Sequence, residues 1–178
     1  ATIGENMMLR RMKNIKVDKG TIVSYVHNAT AEGMGRIGVL VALESDLKID
    51  ILNDLGKKIA MHVAAAKPVS LSIKDLDPSI VQREREVLIE QAKQSGKPQE
   101  IAEKMVEGRI RKFYQDVVLL EQTFVIDGES KVADVLKRTA HDAGGEIVLK
   151  EFCLFVLGDG IEKEETDFAA EVAAQLNK

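Results

Sequence analysis

Residues 21–43, TIVSYVHNATAEGMGRIGVLVAL, decide the fold of this chain. Residues 21–27 are rich in β-branched side chains, and residues 36–43 are nearly all apolar after the arginine. Both compositions are typical of strands, the second of a central one. The connection is too short for a parallel crossover, so we predict an antiparallel meander. We also predict that residues 8–17, which mix basic and apolar side chains, form an exposed or edge strand.

Two helices and one more strand complete the predicted core. Residues 46–66 carry apolar side chains at helical spacing, which predicts a helix that covers one face of the sheet and ends at Lys67-Pro68. A second helix is predicted from residues 131–137 to the glycine pair near 144. Residues 146–157, EIVLKEFCLFVL, predict a long strand that the glycines after it terminate.

The middle of the chain predicts an antiparallel helical hairpin. Asp77 can cap its first helix, with Pro78 in the first turn, and the second helix starts near Gln99 after the turn QSGKP at residues 94–98. The predicted apolar sides are Val81, Val87, Leu88 and Ala92 on the first helix, and Ala102, Met105, Arg109 or Ile110, Phe113 and Val117 on the second. Because two helices bury little, we expect further packing on another chain or on the core.

A short terminal helix is predicted from Glu164, with Phe168 and Val172 on its apolar face. The sequence as a whole therefore predicts an α+β fold. An antiparallel sheet of about three to four strands packs with helices, and the helical hairpin interrupts this core.

Composition excludes several classes of protein. A net charge of −4 argues against a dedicated nucleic-acid binder. The single cysteine, Cys153, forbids a disulfide within the chain and favours a reducing, cytoplasmic compartment. No run of about 20 apolar residues predicts a membrane span, and no signal peptide is visible. Because the chain begins at Ala1 without a methionine, we expect it to be a fragment.

The sequence offers no constellation for catalysis, and we predict no catalytic, cofactor-binding or metal-binding residue. The three histidines His27, His62 and His141 lack metal-ligand spacing. Cys153 lies within an apolar run and is interpreted as a small buried hydrophobe. The glycines of residues 33–38 precede a strand, whereas a nucleotide-binding glycine loop follows one.

Two of the histidines have distinct environments in the sequence. His62 borders the apolar stripe of its helix, which favours a hydrogen-bonded histidine at the edge of the core. His27 shares a strand face with Tyr25 at the point where the strand meets a loop. Such a pair can form a contact patch for a partner or serve the fold alone.

Several segments together resemble elongation factor Ts, in the order of that family. They are residues 3–6 (IGEN), 25–28 (YVHN), 36–41 (RIGVLV), 59–65 (IAMHVAA), 94–98 (QSGKP), 101–109 (IAEKMVEGR), 160–163 (GIEK) and 165–173 (ETDFAAEVA). The resemblance implies that residues 1–67 and 130–160 form the second half of a discontinuous α+β core. It further implies that residues 68–129 are a dimerisation or coiled-coil insertion and residues 161–178 a terminal module.

The resemblance also implies what this chain lacks. The family has an amino-terminal helical domain and a first half-core, whose Asp-Phe pair is pushed toward the magnesium site of elongation factor Tu. Neither is expected here. Residues 166–168 (TDF) also contain an Asp-Phe pair. They lie in the predicted terminal helix, so this pair is not equated with that of the first half-core.

By the same resemblance, the function is that of a guanine-nucleotide exchange factor which acts by binding elongation factor Tu. The implied partner-binding residues are Tyr25, His27, Asn28, Arg36, Phe168 and Val172. Phe168 and Val172 can equally pack within the chain. The alternative is a self-association module in which the hairpin pairs two copies. Neither reading requires direct contact with nucleic acid or a membrane.

Overall fold

The computed structural model describes residues 9–94, 96 and 98–161. The described residues form an antiparallel sheet and a set of helices, which confirms the predicted α+β fold. The predicted terminal helix, with Phe168 and Val172, lies outside the described residues. The elements are β1 (Gly20–Ala31), β2 (Met34–Glu44), α1 (Ile49–Ala66), α2 (Pro78–Gln94), α3 (Gln99–Val117), α4 (Val132–Asp142) and β3 (Val148–Val156).

The strand β2 lies at the centre of the sheet, in the order β1-β2-β3, as its apolar sequence predicts. Both neighbours are antiparallel to it. Val39 stands opposite Tyr25 on one side and Leu154 on the other, while Ile37 stands opposite His27 and Val156. Residues that pair directly share a face, so these side chains lie on the same side of the sheet.

The helix α1 covers this face of the sheet. Its buried residues Leu52, Leu55, Ile59 and Val63 join Val39, Val41 and Leu43 of β2 in one hydrophobic cluster. The close approach explains a glycine within the helix, because a Cβ atom on Gly56 would lie 2.6 Å from Cγ2 of Val23. α4 adds Val132, Val135 and Leu136 to the same cluster.

The predicted strand at residues 8–17 is wrong over its described part, residues 9–17, which has no regular secondary structure. Side chains instead attach this segment to β3 and the turn beyond it. Arg10 donates to the carbonyl oxygens of Asp159 and Gly160, the Arg11 guanidinium lies 5.0 Å from the Phe155 ring centroid, and Lys13 pairs with Glu151. These contacts use side chains and need no backbone ladder.

The helical hairpin is present, and its start follows the prediction. The backbone N–H of Ser79 donates to Oδ1 of Asp77 at 2.8 Å, so Asp77 caps α2 with Pro78 as the first helical residue. The described residues of the hairpin bury a small cluster of their own. Its members are Leu88, Ala92, Val106 and Ile110, with Ala102 and Tyr114 packed against it.

The predicted apolar sides of the hairpin are confirmed at Leu88, Ala92, Ala102 and Ile110, and other positions are wrong by one residue. Val87 is exposed while Leu88 is buried, and Val106 and Tyr114 take the places predicted for Met105 and Phe113. In each case two apolar residues are adjacent in sequence. Helical spacing alone cannot choose between two such neighbours, and the partner helix decides which one is buried.

Candidate docking surface

The strand β1 continues past His27 to Ala31, so the prediction that His27 ends its strand is wrong. Exposure nevertheless changes at this residue: Tyr25 is half-buried, whereas the residues from His27 to Ala31 are exposed. Tyr25 and Ile37 pack against the cluster beneath α1. His27 is therefore the first exposed side chain on this face beyond the buried core.

Tyr25 and His27 form a hydrogen-bonded pair. The Tyr25 hydroxyl and Nδ1 of His27 are 2.9 Å apart, and the two ring centroids are 6.0 Å apart. When Nδ1 carries no proton, the hydroxyl donates to it. The anchored tyrosine thus restricts the rotation of an exposed imidazole, which lowers the entropy that a partner would have to remove on binding.

Asn28 has a left-handed backbone, with φ of 52°. Asparagine tolerates this region better than most residues, because its short side chain can bond locally. The pairing between β1 and β2 becomes irregular just after it, between Ala29 and Ala31. Asn28 is exposed and directly follows His27 in β1.

Arg36 does not lie with the Tyr25–His27 pair. It precedes Ile37, the residue that stands opposite His27, and consecutive side chains of a strand point to opposite faces. Its carbonyl oxygen accepts a hydrogen bond of 2.8 Å from the N–H of Leu157. The exposed Arg36 side chain lines a groove on the other face together with Arg10 and Phe155. Of the predicted site residues, the structure bonds Tyr25 to His27, places Asn28 next to His27 along the strand, and sets Arg36 on the opposite face.

The other candidate residues occupy different settings. His141 is exposed on α4, and Cys153 is half-buried in β3, where burial raises the pKa of its thiol. The described residues contain no group of three or more histidine, cysteine or acidic side chains placed to hold a metal ion. Within the same residues, no helix combines the length and apolarity needed to cross a membrane.

His62 is fully buried, not at the edge of the core as predicted. Its Nε2 lies 2.9 Å from Oε1 of Gln122, and Val125 donates its N–H to Nδ1 at 3.2 Å. Burial lowers the pKa of His62. Sequence reasoning missed Gln122 altogether, because a glutamine 60 residues away gives no local signal of this contact.

The sequence model of the family described as Elongation factor TS matches residues 1–159. This chain belongs to the elongation factor Ts family. It is 59% identical to Elongation factor Ts of Rhodospirillum rubrum over all 178 residues, and 58% identical over 174 residues to that of Gluconobacter oxydans. It is 55% identical over 176 residues to Elongation factor Ts of Erythrobacter litoralis.

Nearly the whole chain takes part in each of these matches to elongation factor Ts. The aligned shares of this chain are 100%, 98% and 99%, in the order given. The chain spans only 58%, 56% and 57% of the lengths of these relatives. The similarity therefore covers a little more than half of each of these relatives.

Proposed function

We propose that this chain is the docking and dimerising part of an elongation factor Ts, and that the whole protein binds elongation factor Tu and promotes release of its GDP. The exposed Tyr25–His27 pair carries the docking proposal. Its imidazole is accessible to a partner, and its tyrosine is anchored in the core. Asn28 extends the patch along the same strand.

The region present is proposed to be the second half-core, made of residues 1–67 and 130–160. Residues 68–129 would be the insertion and residues 161–178 the terminal module, with Phe168 and Val172 as further partner-binding residues. Arg36 would contact the partner from the opposite face of the sheet. A protein of this function works in the cytoplasm, where translation takes place.

The mechanism needs no covalent chemistry. A factor that binds nucleotide-free elongation factor Tu more tightly than the GDP form must weaken GDP binding by the same ratio. A coupling of about 1.4 kcal/mol changes that affinity tenfold. The chain would supply binding energy through its docking patch, while exchange would be an activity of the whole protein.

Substitution of His27 tests the docking proposal. We expect His27→Ala to weaken binding to elongation factor Tu·GDP on the order of tenfold, as truncation of a central contact residue commonly does. The thermal midpoint should barely change, because the side chain is exposed. Calorimetric titration and thermal unfolding measure the two quantities.

His141→Ala is the matched control, since His141 is also an exposed histidine, on α4. It should bind like the unsubstituted chain. If His27→Ala binds normally, or if both variants weaken binding equally, the docking patch is wrongly placed.

A separate experiment tests the exchange function. Release of labelled GDP from elongation factor Tu should be faster with the full-length protein than with this chain. If full-length protein does not change the rate of GDP release, the exchange function is wrong.

Self-association through the hairpin is the second candidate function. Three large apolar side chains of the hairpin are exposed to about 40–50%: Val87, Ile89 and Ile101. Such residues are available to a second copy of the chain. Light scattering at micromolar concentrations tests this, and a strictly monomeric mass would exclude it.

A further inference from the structure

Gln122 lies where the helical hairpin rejoins the core, one residue after the 3-10 turn Leu119–Glu121. Only 4% of its surface is exposed. A buried amide loses its water and must find hydrogen-bond partners in the protein. The partners of Gln122 lie on α3, which ends just before it, and on α1, which is about 60 residues away.

The Gln122 amide joins the carboxyl ends of two helices. Its Nε2 donates to the carbonyl oxygen of Asp116, near the end of α3, at 2.8 Å, and to that of Ala66, the last residue of α1, at 3.4 Å. Carbonyl groups in the last turn of a helix have no donor within the helix. The Gln122 side chain therefore satisfies one carbonyl group at the end of α1 and one near the end of α3.

His62 holds this amide in a single orientation. Because Val125 donates to Nδ1, the proton of the neutral ring lies on Nε2, which donates to Oε1 of Gln122. Reversal of the amide would set its NH2 group against the ring N–H. The main chain of Gln122 adds a third element, since its carbonyl oxygen accepts from the N–H of Val132 at the start of α4.

One further polar contact here reaches the core: Lys131, at the start of α4, pairs with Glu121 at 2.7 Å, and both side chains are partly exposed, so water screens the pair. The main-chain bonds of the two ends of the hairpin connect it to itself. Residues 69–71 lead into α2 and residues 117–120 leave α3; we call them the hairpin legs. Val69 donates to the carbonyl oxygen of Val117, and Leu119 donates to that of Ser70. These bonds hold the legs to each other but carry no information about the direction of the hairpin relative to α1.

We propose that Gln122, oriented by His62, is a positioning residue that fixes the direction in which the α2–α3 hairpin leaves the core. Apolar side chains of the legs also pack on the core, but apolar contact is not directional. The hydrogen bonds of Gln122 are directional. They connect α1, which covers the sheet, to α3, which is the second helix of the hairpin. The hairpin surface is thereby held at a set position relative to the sheet.

Pulsed spin-resonance distance measurements on the full chain test this proposal. In a Cys153→Ser background, spin labels are placed on the exposed positions of Lys57→Cys in α1 and Lys93→Cys in α2. The labelled chain in which Gln122 is intact should give one narrow distance distribution. Gln122→Met keeps the length of the side chain and removes its hydrogen bonds, so the distribution should become at least twice as broad.

Gln115→Met is the matched control, because Gln115 is exposed on α3 and receives the same chemical change. It should leave the distribution narrow. An unchanged distribution in Gln122→Met, with or without a lower thermal midpoint, overturns the proposal, as does equal broadening in Gln115→Met. If circular dichroism finds Gln122→Met unfolded, the measurement is repeated with Gln122→Asn, whose side chain is one methylene shorter. A broadened distance distribution then supports the proposal, and an unchanged one overturns it.

Discussion

The sheet core and the helical hairpin are both built from amphipathic elements, yet they bury very different amounts of apolar surface. Fifteen buried residues of the described chain belong to the core cluster, drawn from β2, β3, α1, α4 and the connections between them. The hairpin cluster has four. Most of the stability of a helix in a protein comes from the packing of its apolar face, and the hairpin cluster is small. The hairpin should therefore open locally, while the core unfolds as one unit.

The largest expected effect is in the centre of the core. Leu43→Ala removes a fully buried side chain from β2 and leaves a cavity between the sheet and α1. The free energy of unfolding should fall by about 2–5 kcal/mol. Urea denaturation measures this, and Leu157→Ala, at a position that is 76% exposed, should leave it unchanged. Equal losses in both variants would contradict the assigned core.

A smaller and more local effect is expected in the hairpin. Ile110 is 2% exposed within the hairpin cluster, so Ile110→Ala should lower the free energy of local opening by about 2–3 kcal/mol. Amide hydrogen exchange should speed up in α2 and α3 and stay constant in the sheet. The control is Ile101→Ala in the same helix, where the side chain is 48% exposed. If the sheet amides accelerate equally, core and hairpin form one cooperative unit and the comparison fails.

A fall in pH should also affect the stability of the core and of the hairpin differently. Burial lowers the pKa of His62 below its ordinary value of 6.5, although the bond to Gln122 opposes the shift. Between the lowered pKa and 6.5 the unfolded chain binds the proton better than the folded one. The free energy of unfolding should therefore fall as pH falls below about 6.5, and this contribution should be level above it.

Neither α2 nor α3 contains a histidine, so the acid effect should appear in the core and at Gln122 before the hairpin cluster. Urea denaturation across this pH range measures the dependence. His62→Asn removes the titrating group and should flatten it; a slope that survives this substitution would assign the effect to other groups.

The smallest expected effect concerns the ion pair between the hairpin helices. Arg85 and Glu107 lie 2.5 Å apart, and the bond lowers the pKa of the Glu107 carboxyl. Both side chains are substantially exposed to water, which screens the attraction. Arg85→Ala should change the exchange of hairpin amides only slightly, and less still in high salt. A loss as large as that of Ile110→Ala would mean that charge, not the apolar cluster, holds the hairpin together.

Several features could be predicted because their signals are local. The apolar run of β2, the periodicity of α1, the Asp77-Pro78 start of α2 and the glycines that follow α4 each act within a few residues. The proximity of Tyr25 and His27 was predicted on the same ground, since residues two apart in a strand share one face. The implied site also included Arg36, but its place on the opposite face from this pair depends on the register between β1 and β2.

Sequence by itself determined the α+β class, the order of the elements from β1 to β3 and the presence of the hairpin, because periodicity, caps and turns depend on consecutive residues. It also carried the family resemblance through several short segments. Only the tertiary structure decided which of two adjacent apolar residues each hairpin helix buries, and that residues 9–17 attach to β3 by side chains. It alone brought Gln122 to His62 across 60 residues, because a buried polar side chain is satisfied by whatever groups the fold places beside it.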